Sequence, residues 1–573
     1  MPIHRSLAVL SLSALTLAPQ APGAALASNT PICIADQIQS SPVVVSDGAG
    51  GAIVAWSDFR NGTHYDIYAQ HVMASGSVDA AWPPNGVVLC AASGNQDHPA
   101  IISDGAGGAI VAWRDFRNIY PVYAQRVLAS GVVDPSWPPN GLGVGGSGSS
   151  NGAPAIVSDG AGGAVVAWSE NRGVWNGSNF DMSYQIYANR MLASGTLAGW
   201  PVGGVPLCTL PGDQTAPTIV SNTGGGAYVA WQDQRSGTNY DIYAQHVLGS
   251  GAIADLWPAN GIALTFAPGD QFYPVSIIDG AGGAFVAWTD MRGADADIYC
   301  QRVLNNSNTF TFWGQPVCTA SGDQWAPAIV ADGANGAIIS WHDRRSGNAD
   351  IYAQRMAPLN TVDAAWPANG RALCTAVGNQ DGTAITSDGA GGAIVTWSDL
   401  RGADYDIYAQ HVLASGVVDG AWPADGAGLG VFSQNQWLPR LAPDGSGGAI
   451  TVWQDYRNGP NADIYAAAST ALVDVPRPDP PRRLAFASPW PSPAREAVAL
   501  RIATPREGTV SLAIYDAGGR RVRLLISGSL PAGERTWTWD LRNDAGRHVP
   551  PGLYFAALET ERERIVRRFA VLR

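Results

Sequence analysis

Residues 47–72 read DGAGGAIVAWSDFRNGTHYDIYAQHV, and the pattern returns seven more times along the chain. The residue in the place of Asp47 falls at 104, 159, 222, 279, 332, 388 and 444, with spacings of 57, 55, 63, 57, 53, 56 and 56. It is Asn at 222 and Asp elsewhere. A period of this size, kept through eight copies, means one supersecondary unit stacked against copies of itself. Within a copy, PAIV (154–157) and GAIVAW (51–56) illustrate the segments that flank the Asp-Gly/Gly-Gly turn, a strong hairpin signal. A polar W-x-D-x-R turn leads to DIYAQHV (66–72). A longer loop, ASGVVDPSWPPNG (129–141) in copy two, precedes a fourth short strand such as VVLC (87–90). Four short strands and a closing loop per repeat predict a blade of a β-propeller.

The two ends complete the count. The last copy stops after DIYAAA near Ala468 without a fourth strand, and PICIADQIQSSP (31–42) matches PVCTASGDQWAP (316–327). A fourth strand supplied from the other end closes a ring and leaves no open sheet edge. The expected fold is all-β, an eight-bladed propeller over residues 28–471. The repeat resembles the TolB-type propeller repeat through Asp47-Gly48, Trp56, Asp58, Arg60, Gly62 and Asp66-Ile67-Tyr68, over roughly residues 31 to 468. That resemblance implies the fold. TolB-type propellers have six shorter blades, so no partner is carried over with it.

The remaining segments differ in composition. Residues 1–27 carry Arg5, the apolar SLAVLSLSALTLA and an Ala25-Leu26-Ala27 cleavage pattern, which predicts an export signal and a secreted or outer-surface chain. LVDVPRPDPPRR (472–483) reads as a Pro-rich linker. From 484 to 573, alternating AVALRI, VSLAIYD, RTWTWDL and GLYFAAL predict a small β-sandwich. Its G-R-x-V, W-D-x-R-x-D-x-G-R and G-x-Y elements resemble the Ig-like domain of flagellar hook-capping proteins and the C-terminal sorting domains of type IX secretion substrates. That resemblance implies sorting or surface attachment, with the secretion machinery as a partner.

Composition excludes several functions. All 34 basic residues of the 573 are Arg, so Schiff-base and P-loop chemistry lack their amine. From 28 to 481 there are 17 Arg against 38 acids, a balance that repels nucleic acid. The remainder has 16 Arg against 9 acids, which a docking face or simple solvated surface explains. Beyond the N-terminus no apolar run is long enough to span a bilayer.

The repeated Trp, acid, Arg and Tyr are read as inter-blade packing with a stapled turn, since eight equal sites make a poor single active site. Each Asp of DGAGG stands before a two-residue turn rather than in a calcium loop. No His pair has zinc spacing and no G-x-S-x-G elbow occurs. No cofactor or metal is expected, and no catalytic pair of carboxylates can be singled out. What varies is the loop after each fourth strand, where a repeated [DN]-Q (Gln37, Gln96, Gln214, Gln271, Gln324, Gln380, Gln436) precedes changing residues. Gln271, Phe272, Tyr273, Gln324, Trp325, Gln436, Trp437 and, in an enlarged loop, Trp175 are the candidate ligand contacts. Aromatics among amides and acids suit a glycan or a polypeptide, or they cap blade cores. The preferred function is a non-enzymatic binding or display module. The alternatives are an extracellular glycan-active enzyme and a purely structural surface protein. Of six Cys, only Cys300 and Cys318 sit close enough in the repeat to form a disulfide.

Overall fold

The computed structural model describes residues 29–469 and 484–572, apart from 118–121, 147–148, 151, 176–179, 223, 308, 310–312, 487–488, 490–491, 496, 505–507, 531–532 and 561–562. The expected export signal and Pro-rich linker lie outside the described residues. Contacts divide the chain into two compact units that part between Val473 and Asp474.

In the larger unit each repeat forms one antiparallel sheet. Sheet 1 runs Gln39–Ser46, Ala52–Asp58, Asp66–Val72 and Val87–Cys90, in that order. Seven further sheets follow the same plan. Sheet 3 splits its first strand into Ser149–Ser150 and Ala155–Ser158, and sheet 6 gains a short extra strand at Thr361–Val362. In sheet 8 the fourth position is taken by Thr30–Cys33, which pairs antiparallel with Asp463–Ser469, Pro31 opposite Tyr465. First strands of successive sheets pack against one another in chain order, and Gln436–Pro443 of sheet 8 packs against Gln39–Ser46 of sheet 1. The architecture is all-β and propeller-like.

Alternation along each second strand explains why the sheets stack. Ile53 and Ala55 of sheet 1 join Val111 and Trp113 of sheet 2 in one buried cluster, and a similar cluster lies between later neighbours. The eight repeated Trp, Trp56 to Trp453, are each 0% exposed. An aromatic of that size removes ~150–250 Å² from water, a gross gain of roughly 4–6 kcal/mol each at ~25 cal/mol/Å².

The hairpin at Asp47 differs from expectation. Ser46 pairs with Ala52, so five residues form the connection, not two. The Asp47 carboxylate Oδ1 accepts from the N–H groups of Ala49 at 2.7 Å and Gly51 at 2.9 Å. Asp therefore acts as the loop's internal staple, satisfying N–H groups that no strand reaches. No Cβ fits at Gly51, where it would stand 2.4 Å from Asp47 Oδ2.

The smaller unit holds a three-stranded sheet (Ala485–Phe486, Val498–Thr504, Gly533–Trp539) and a four-stranded one (Arg521–Leu530, Gly508–Asp516, Gly552–Thr560, Arg564–Val571). Their apolar faces share one core around Leu500, Ile514, Trp539 and Phe569. Tyr554 buries its ring there and donates its hydroxyl to Pro550 O at 2.7 Å.

Candidate functional site

The turns after the second strands and the loops after the fourth strands share one end of the sheets: Phe59 N–H donates to Ile38 O at 2.8 Å. The Asp hairpins and Trp-Pro loops share the other end, where His71 bridges Asp47 and Asp79. The Trp-Pro loops knit neighbouring sheets, since the Trp82 indole donates to Ala129 O and that of Trp137 to Ala193 O.

On the first end, the W-x-D-x-R residues form a closed structural unit. Trp56 Nε1 donates to Asp58 Oδ2 at 2.7 Å, and Arg60 Nε donates to Oδ1 at 2.8 Å. The Arg60 guanidinium lies 3.8 Å over the Tyr68 ring, which stacks on Trp56 at 22°. Arg60 also reaches Cys33 on the closing strand of sheet 8, 3.2 Å from its sulfur. Burial pushes the Cys33 thiol up to about 12, so it stays protonated. These groups are committed to the fold.

The carboxylates come in facing pairs. Asp58 stands opposite Asp66, Asp233 opposite Asp241, Asp290 opposite Asp297 and Asp399 opposite Asp406. Burial, with the facing acid adding to it, pushes Asp241, Asp297 and Asp406 up to about 6. The pairs recur from sheet to sheet, and in each the first acid already serves a Trp and an Arg.

The seven glutamines of the [DN]-Q loops divide into one outlier and a buried set. Gln37 precedes the first strand by two residues, and Gln39 takes the equivalent position in the structure. Gln39, Gln96, Gln214, Gln271, Gln324, Gln380 and Gln436 are each 0% exposed. Gln271 Nε2 donates to Gly269 O at 2.8 Å, Gln324 Nε2 to Gly322 O at 2.5 Å and Gln436 Nε2 to Gln434 O at 2.8 Å. The expected ligand role of Gln271, Gln324 and Gln436 is corrected accordingly: their amides tie the preceding loop to the strand and offer no surface.

Two residues after each buried Gln the backbone turns left-handed. The φ values are 53° at Ser41, 52° at His98, 51° at Ala216, 53° at Tyr273, 50° at Ala326 and 54° at Leu438. Register slips there, as between Phe272 and Val275. A bulge of this kind re-aims side chains at a sheet end. The bulge N–H of Tyr273 donates to Gln232 Oε1 of the sheet before it, at 3.3 Å.

The bulge sets the aromatics at the rim in separate groups. Tyr273 is 55% exposed and adjoins Phe272, whose ring lies 5.7 Å from Tyr240. Trp437 packs on Tyr405 of sheet 7 with centroids 3.9 Å apart. Trp325 is half-buried opposite His342. Among the described residues no ring contact joins Trp325 to Phe272 or Trp437, so the expected aromatics share an end without forming one cluster. Tyr240 and Tyr405, missed in the sequence, complete two of the groups; they stand one residue before the DIY strand, a repeated place whose residue varies. The backbone of Val174–Trp175 pairs with Phe180–Asp181, and the Trp175 side chain lies outside the described residues.

The expected Cys300–Cys318 bridge does not form. All six cysteines are free and buried. Cys318 pairs with Ile298 rather than Cys300, and its sulfur turns to Asp343 Oδ2 at 3.8 Å and to Arg345 at 3.2 Å in sheet 6. The fourth-strand cysteines belong to the seam between sheets.

Fold and site together describe a repeat protein of propeller-like sheets whose varied residues gather at one end. Residues 494–563 match the FlgD Ig-like domain family. No curated protein matches the chain. Among solved structures, it resembles a protein of unknown function from Dyadobacter fermentans at 10% identity, with 77% of this chain and 97% of that one covered and a TM-score of 0.36. An ulvan lyase, a polysaccharide lyase, matches at 9% identity over 66% of this chain and 95% of its own, with a TM-score of 0.40. The putative TolB of Agrobacterium tumefaciens matches at 18% identity over 48% and 82%, with a TM-score of 0.28. Likeness this distant carries no argument about activity.

Proposed function

We propose that the protein is an exported, non-catalytic eight-bladed propeller that binds or displays at its bulged rim, joined to an Ig-like β-sandwich that sorts or anchors it. The observation that carries this reading is the division of labour within each repeat. Acids, arginines and glutamines that could do chemistry recur and are spent on the fold, while the residues around the left-handed position vary and stand at the surface. A shared scaffold acquires a specific site in this way. The ligand class is a glycan or a polypeptide with faces for aromatic stacking, worth about 0.5–1.5 kcal/mol per ring pair beyond area burial.

The test is to replace Trp325 and Trp437 by Ala together and screen the purified ring on glycan and peptide arrays. Binding should weaken at least several-fold while the melting temperature barely moves. Loss of several kcal/mol of stability with binding intact would make the two tryptophans caps of the sheets and overturn the site. A second reading, a glycan-active enzyme, is favoured by one observation: three aspartates, Asp241 and Asp406 buried and Asp297 half-buried, pushed up to about 6, in the range of a general acid. Release of reducing or unsaturated ends from a polysaccharide panel by the pure protein would select that reading instead.

A further inference from the structure

One position in the first strands breaks the repeat. The residue paired with the one just before the second-strand Trp is Ala, Val or Thr in seven sheets (Ala100 opposite Ala112, Ala155 opposite Ala167, Thr218 opposite Ala230 among them) and Arg440, opposite Val452, in sheet 8. Five of these eight residues, Val43, Ala100, Ala155, Thr218 and Arg440, line a cavity of about 360 Å³ between the first strands. The segments 42–46, 99–103, 154–158, 217–221, 274–278, 327–331, 383–387 and 439–443 contain no charge other than Arg440. Arg440 is exposed to solvent in this cavity, while the protein around it draws its pKa below the ordinary arginine value.

Arg60, Arg117, Arg126, Arg235 and Arg345 all pair with carboxylates. Arg440 has no acid partner among the described residues, and Nη1 donates to Pro439 O at 2.9 Å. Arg440 therefore faces the solvent of the cavity as a cation with no neighbouring counter-charge, and its remaining N–H donors form a fork that matches an oxyanion. The short side chains of Val43, Ala100, Ala155 and Thr218 around it leave the space. We propose that Arg440 is an anion-binding site, taking one sulfate or carboxylate group into the cavity. The group arrives as a free small anion or as part of an acidic sugar. The site stands independently of the rim aromatics.

The test titrates the full chain with sodium sulfate, sodium glucuronate and a glucuronate-terminated oligosaccharide, each against sodium chloride at matched ionic strength. Calorimetry and thermal shift are read for the wild type, Arg440→Met and Arg440→Lys. Saturable binding should appear in the wild type, fall at least tenfold in Arg440→Met and be partly kept in Arg440→Lys. A response to sulfate and glucuronate alone marks a free anion; one confined to the oligosaccharide marks an acidic sugar. Absence of saturable binding to all three probes, or equal binding by Arg440→Met, overturns the proposal. Should Arg440→Met fail to fold, the wild-type arginine Nε–Hε resonances decide: one must shift on saturation, and none moving counts against the site.

Discussion

Arg117 of sheet 2 sets its Nη2 2.7 Å from the sulfur of Cys90, which lies on the outermost strand of sheet 1. The same reach recurs from Arg235 to Cys208, Arg345 to Cys318 and Arg401 to Cys374. One side chain thereby holds its own sheet's acid and its neighbour's edge. Neighbouring sheets are fastened at their seams by guanidinium, carboxylate and thiol.

The seam predicts a large cost for removing the acid. Asp115→Ala leaves Arg117 and the Trp113 indole without their shared acceptor in a buried place, and breaking such a pair costs about 3–5 kcal/mol. Urea unfolding followed by tryptophan emission should show that loss, and a change under 1 kcal/mol would remove the seam from the account of stability.

The six buried thiols should be silent in the native protein. Burial pushes Cys90, Cys208, Cys318 and Cys374 up to about 12, so almost none is thiolate at pH 8. Thiol counting should give no fast-reacting group when folded and six in denaturant. A denatured count of four would restore a bridge.

His246 gives a pH signature. Its ring accepts from Asn222 Nδ2 at 2.7 Å, where other sheets offer an Asp, and burial lowers its pKa to about 4. The unfolded histidine, near 6.5, binds more protons between those values, so stability rises with pH across that window. Relative to pH 7, the wild type should lose on the order of 2 kcal/mol more at pH 5 than His246→Gln does. Asp241, Asp297 and Asp406 act with opposite sign, since their raised folded values make stability fall as pH climbs from about 4 to about 6. The histidine variant separates the two.

Closure predicts that the segment around Thr30–Cys33 is indispensable. Ile32 and Cys33 are buried against Val54 and Val452. Deleting residues 28–40 should lower the melting temperature and expose the edge of sheet 8, read as added dye binding or dimerisation. An unchanged melting temperature would refute closure by this strand.

The two units should part cleanly. Stopping the chain after Val473 should leave the larger unit with its full thermal transition, and proteolysis within 472–483 should release two folded pieces. In the native host that truncation should fail to reach the surface; normal delivery would reject the sorting role.

Period and turn chemistry made the sheets readable in the sequence, down to the strand at Pro31 that pairs opposite Tyr465. Both depend on local pattern and repetition. The rim was half readable. Repetition marked the glutamines, yet their burial is a consequence of loop carbonyls that only the folded chain brings within reach of Nε2. The left-handed turn left no sign, because Ser41, His98, Ala216, Tyr273 and Leu438 share no residue type that favours positive φ. Cys318 looked like a partner for Cys300 when one sheet was considered alone, and the decisive neighbours, Asp343 and Arg345, belong to the next.

The pairing of Thr30–Cys33 with Asp463–Ser469 also orders events in time. Thr30–Cys33, the earliest strand among the described residues, has its partner among the last residues of the repeat array, so it waits unpaired while seven sheets can already form. Loop closure over that distance costs only about 3 kcal/mol more than over a ten-residue loop, because the entropy grows with the logarithm of length. The final sheet therefore forms only when the array is whole: a chain cut short anywhere before Asp463 retains an idle strand and an open seam.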